Sequence, residues 1–212
     1  MITLVAVIGI FSLFSIWSIN RAWTAGTAET AELQSLSRTA LDSQVDFKVQ
    51  IQEWKNILIR GDQGDLLDKY LASFRSHAEK TQNNLANITS GSTRLGFMNF
   101  AEGATSLRGE HTALTTRYEA VLAEERGTSR TITPEMASLI DKTVRGADRK
   151  LEASIEELSQ KIANIADERR LALFAKMQER YGSLRWFILS VIGLSLAITA
   201  YVLSSALRVT RS

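Results

Sequence analysis

Lys55, Asn56 and Arg60 in one segment, and Arg145 and Arg149 in another, are the side chains of this sequence best suited to ligand chemistry. Arginine offers a planar fork of donors that matches a carboxylate or another oxyanion. Counted in helical residues from the two apolar ends of the chain, Arg60 lies about 40 residues out, and the same level on the last helix falls near Gly146. Three arginines from two helices would then converge on one anion, with Lys55 and Asn56 about one turn below Arg60. The alternative is that they pair with surface acids such as Asp62, Asp141 and Asp148.

The remaining chemistry is sparse. There is no cysteine, which removes disulfides, thiolate metal sites and thiol nucleophiles. His77 and His111 are the two histidines, and neither sits in a metal or nucleophile motif. No glycine-rich phosphate loop and no His-Glu-x-x-His pattern occurs. A helical bundle can hold haem between two histidines, which makes a membrane-anchored haem-binding bundle the alternative reading. Helical counting offsets His77 and His111 by roughly 9 Å along the axis, a poor fit for two ligands on one iron. A satisfied core histidine is the expected role of His111. The sequence thus gives no catalytic residues, no metal site and no cofactor, and an enzyme is not the expected reading.

The elements that position these residues are legible from composition. The 212 residues carry a formal charge of +2. Met1–Ile19 and Phe187–Leu207 contain no charged residue. About 20 apolar residues cross a ~30 Å hydrocarbon core as a helix, so each end is expected to be a membrane span. The residues between the spans hold 23 acids and 23 bases, because only Arg208 and Arg211 follow the second apolar run. A neutral domain lacks the basic surface of a nucleic-acid binder. The first run has no basic flank and only a weak cleavage site at Thr24-Ala25-Gly26, so an anchor is expected rather than a cleaved signal. Trp17, Trp23 and Trp186 would lie at one membrane face as an aromatic belt, and the two tail arginines favour a cytoplasmic C-terminus.

The expected organisation is transmembrane helix 1 over residues 1–20, a bundle over 21–185 outside the cytoplasmic membrane, transmembrane helix 2 over 186–207, and a cytoplasmic linker from 208 to 212. The bundle reads as four helical runs. Thr24–Arg60 carries an apolar seam through Leu33, Ala40, Phe47, Ile51 and Trp54. Asp65–Ile88 follows after a Gly61–Gly64 turn, and Thr93–Glu125 follows after a turn at Thr89-Ser90-Gly91-Ser92. Thr133 then caps a last helix with Pro134 at its first position, where the missing N–H costs nothing. No breaker is apparent before the second span, so this helix is expected to run unbroken into the membrane. The fold class is all-α, an antiparallel up-down four-helix bundle flanked by two transmembrane helices.

Gln44–Gly61, QVDFKVQIQEWKNILIRG, resembles the first sensor helix of bacterial methyl-accepting chemotaxis proteins. Val144–Lys150, VRGADRK, resembles a segment of their fourth helix, and RVTRS after the second span resembles the start of a HAMP linker. The resemblance implies a transmembrane sensory module that binds a small ligand or a periplasmic binding protein outside and moves a helix inward, as a homodimer. Receptors of that family continue into a HAMP domain and a kinase-control hairpin. This sequence stops short of them, so either a piece of a longer receptor or a free-standing module is expected. The same sensor type also occurs on histidine kinases and diguanylate cyclases.

Overall fold

The computed structural model describes the backbone of residues 2–209; the side chains of residues 2–13, 15, 16, 19, 22, 25, 184, 202, 203 and 205–209 are not among those described. Among the described residues there are five helices and no strand: α1 Ile2–Arg60, α2 Gly64–Arg94, α3 Met98–Arg126, α4 Pro134–Val144 and α5 Arg149–Val209. The chain divides into two units. One comprises residues 1–28 and 168–212, and the other Glu29–Asp167.

In the larger unit, every helix contributes to one hydrophobic core. Phe47, Ile51, Trp54 and Ile57 of α1 meet Leu67, Phe74 and Leu85 of α2, Leu107, Leu114 and Tyr118 of α3, Ile140 and Val144 of α4, and Leu151, Ile155 and Ile162 of α5. The three-four spacing that marks the seams in the sequence therefore sorts the buried from the exposed faces. The arrangement is consistent with a four-helix bundle whose fourth leg is α4 continued by α5. Lys48 joins α1 to α5 through Glu152 at 3.8 Å and Glu156 at 3.7 Å. Ile132, 2 % exposed, closes the end where α1 stops, and its N–H donates to the Gly61 carbonyl at 2.7 Å.

Two expectations are corrected. The turn expected at Thr89–Ser92 is helix, and α2 continues to Arg94. Gly91 is buried there, and a Cβ on it would come 2.9 Å from Leu36 Cδ1, so this glycine serves a close helix approach rather than a turn. The chain reverses instead at Gly96, whose φ of +79° is left-handed. The unbroken last helix is also corrected. Gly146, with φ of +74°, ends α4 two residues beyond Val144, and α5 begins at Arg149. The Arg145 N–H closes α4 on the Asp141 carbonyl at 2.8 Å, and the Glu152 N–H opens α5 on the Asp148 carbonyl at 2.9 Å. The cap at Thr133 forms as expected, its hydroxyl accepting from the Met136 N–H at 3.4 Å.

In the smaller unit, α1 and α5 approach closely at Gly26, where a Cβ would lie 2.6 Å from Leu173 Cδ1. Here α5 contains an 18-residue window of mean hydropathy 1.7, none of it buried, and is long and apolar enough to cross a membrane. Most side chains of the expected first span fall outside the described residues, as do residues 210–212 and the side chains of 208 and 209 in the expected linker start.

Candidate functional site

The site is built around the α4–α5 break. Trp54 of α1 stacks on Tyr118 of α3 with centroids 4.5 Å apart, and Phe74 of α2 closes the aromatic layer at 5.6 Å from Trp54. The Tyr118 hydroxyl donates to Asp148 in the break, and its pKa is held well above the ordinary phenol range by burial first and then by that carboxylate. Arg117 donates to the Thr143 carbonyl at 2.9 Å, satisfying an orphan acceptor at the end of α4. The break is thus held by α3 through two side chains.

These contacts set the level of the candidate residues. The break stands level with Trp54, and Arg60 lies six residues, about 9 Å, further along α1. Lys55 and Asn56 rather than Arg60 share the level of Arg145 and Arg149. Arg60 donates to the Tyr70 hydroxyl at 2.8 Å and lies over that ring at 5.8 Å. Arg145 directs both Nε and Nη2 to one oxygen of Asp141, four residues back on its own helix. Asn56 donates to Glu53 at 3.0 Å. The Arg149 side chain runs along Gly146, 3.6 Å from where a Cβ would stand. Among the described residues, Lys55 and Arg149 have no ion-pair partner. Tyr70, Arg117 and Tyr118 are the residues that sequence reasoning left out of the site. Trp54 and Tyr118 sit on apolar seams, but only packing brings them together beside the break.

About one turn from the aromatic layer lies a polar one. His111 and Gln50 are both fully buried. Gln82 Nε2 reaches His111 Nδ1 at 2.6 Å, and His111 Nε2 reaches Gln50 Oε1 at 2.7 Å. Arg108 Nε donates to Gln82 Oε1 at 3.1 Å, so the Gln82 nitrogen faces the ring and Nδ1 must accept. Gln50 Nε2 in turn donates to Thr115 at 3.1 Å. His111 is therefore neutral, with both ring nitrogens engaged, and burial pushes its pKa down to about 4. His77 pairs with Asp46 at 2.8 Å. Two imidazoles so committed do not fit a haem iron between them. No group of three metal-ligating side chains occurs among the described residues.

No family model matches the chain, and no solved structure matches it. Its sequence is 28 % identical over 160 residues to the methyl-accepting chemotaxis protein CtpH of Pseudomonas aeruginosa. The match covers 74 % of this chain and 26 % of that protein, so the chain spans about a quarter of its relative's length. The relationship supports a chemoreceptor-like signalling role, and with the apolar window of α5 it suggests an association with membrane.

Proposed function

We propose that this chain is the transmembrane sensory module of a chemoreceptor-like signal transducer. In this reading it is a two-pass protein of the bacterial inner membrane. Its four-helix bundle stands in the periplasm and binds a small ligand or a periplasmic binding protein. The observation that carries the reading is the similarity to a methyl-accepting chemotaxis protein over 160 residues. The module is not an enzyme; it works by binding one packing state of the bundle better than another. The α4–α5 break is the natural place for that difference to arise, because α5 is one helix from Arg149 to Val209. A ligand that alters the break would shift α5 as a rod, by a small slide or rotation.

An anionic ligand is the preferred class at the break. Lys55 and Arg149 are unpaired there, while Arg60 and Arg145 would have to exchange Tyr70 and Asp141 for the ligand. A homodimer is the proposed state. Leu171, Phe174 and Tyr181 of α5 are each more than half exposed, and a second copy would cover them.

The test is a chimera. Residues 1–212 are joined in register to the cytoplasmic part of a chemoreceptor whose own sensor has been removed, and kinase control is assayed in membranes. Regulated kinase activity that responds to a screened compound supports the reading. A chimera that inserts, dimerises and activates the kinase but responds to no compound or binding protein would sink it. Output through a histidine kinase or a diguanylate cyclase is the second reading, since the same sensor could drive either; the gene sequence following codon 212 separates these outcomes.

A further inference from the structure

At the end of the larger unit away from the break, α1 and α2 leave a groove of about 300 Å³. Gly91 brings the helices together beside it, against Leu36. The walls are polar: Glu32, Ser35 and Thr39 from α1, and Asn87, Ser90 and Arg94 from α2. Its polarity contrasts with the apolar core that begins one helical face away.

Two observations give the groove a direction. Glu32 and Arg94 face it from different helices with opposite charge. Among the described residues neither has an ion-pair or hydrogen-bond partner, so each charge is available to a ligand lying between them. Two of the three hydroxyls have also spent their protons. Thr39 donates to the Ser35 carbonyl at 3.1 Å and Ser90 to the Asn87 carbonyl at 3.1 Å. Their oxygens therefore offer lone pairs along the groove, Thr39 about two turns from Glu32 and Ser90 one turn from Arg94. Arg94 supplies donors that suit an oxyanion. One residue on, Ser92 is fully buried with its hydroxyl unpartnered, which extends the polar character of this part of α2 inward.

We propose that this α1–α2 groove binds a small zwitterion, with the ammonium on Glu32 and the anionic group on Arg94. The volume is at the lower end of small-molecule sites, which limits the ligand to a few bonds between its charges. Bound there, the ligand ties α1 to α2 within a turn or two of where α1 enters the larger unit. The site is separate from the cations at the break and does not depend on their having a ligand.

The experiment is calorimetric titration of the full chain in nanodiscs. The probes are glycine, β-alanine and γ-aminobutyrate, with propionate and propylamine as half-ligands. Saturable binding of at least one zwitterion is expected, with both half-ligands at least about tenfold weaker, as loss of one charge-assisted contact implies. Arg94→Ala and Glu32→Gln should each weaken it about tenfold or more without changing the melting temperature of the unliganded protein. Lys55→Ala and Arg149→Ala should leave it unchanged. The proposal is overturned if none of the three zwitterions binds at tens of millimolar, or if propionate binds as well as they do. It is equally overturned if binding follows Lys55 and Arg149 rather than Arg94 and Glu32, which would place the ligand at the break.

Discussion

Two layers of the larger unit, about one helical turn apart, are built on opposite principles. Trp54, Phe74 and Tyr118 form an apolar layer with ring centroids 4.5 to 6.3 Å apart. Gln50, His111 and Gln82 form a polar one, in which each hydrogen bond assumes the next. Aromatic packing stabilises through buried area and tolerates small slips. A buried hydrogen-bond chain adds less net energy but penalises any register that breaks it. The aromatic layer therefore holds the helices together, and the polar layer determines which side chains stand opposite one another. In the proposed reading, where one helix moves, both layers have a use, because the polar layer would make the alternative packings discrete rather than graded.

The comparison can be broken at its strong side first. Trp54→Ala is expected to cost about 4 kcal/mol by urea unfolding, since it empties the centre of the aromatic layer. A loss below about 1 kcal/mol would show that this layer does not hold the bundle.

Acid should act on the polar layer. His111 titrates near 4 in the folded chain, below its ordinary value of 6.5, so the unfolded chain takes up the proton first. Stability is then at its full value above pH 6.5 and falls as pH drops toward 4, by about 3 kcal/mol. Urea midpoints across that range for the protein and for His111→Gln give the comparison, and an equal slope in both would rule out His111 as the source.

A double-mutant cycle sharpens the point. His111→Leu should cost about 2 kcal/mol, because it strands the buried Gln50 oxygen, while the Gln82 amide keeps the Arg108 carbonyl and Thr112 as acceptors. The double variant Gln50→Leu with His111→Leu should recover part of that loss, and strict additivity of the two would mean that the residues do not act as one network. The smallest effect is expected at Ser43, buried with its hydroxyl unpartnered. Ser43→Ala should be neutral or stabilising by up to about 1 kcal/mol in thermal unfolding, whereas Thr115→Val, which removes the acceptor of Gln50, should destabilise.

Much of the fold was legible because it depends on period and on local chemistry. The seam through Phe47, Ile51 and Trp54, the cap at Thr133 with Pro134, and the stop at Arg60 are all written in neighbouring residues. The glycines were harder to read. Gly91 lies among Thr and Ser, a composition that marks turns, yet it is a packing glycine inside a helix. Gly146 lies in a good helical context, yet it breaks the chain. A glycine permits both, and the partner decides: Leu36 presses on one, while Tyr118 and Arg117 hold the segments around the other.

The candidate site divides in the same way. The residue types at the break could be chosen from the sequence, because arginine offers a planar fork of donors suited to an oxyanion. Their level could not, since counting from the ends assumes that the two long helices start level with each other, and Arg60 stands about 9 Å beyond the break along α1. By itself the sequence determined the helical class, the apolar run of α5, the seams and the buried role of His111, all consequences of spacing along one chain. Only the tertiary structure decided which partners the buried polar groups found, that Arg60 is spent on Tyr70, and that Glu32 and Arg94 share a groove. Those depend on register between helices far apart in sequence, and no local pattern encodes it.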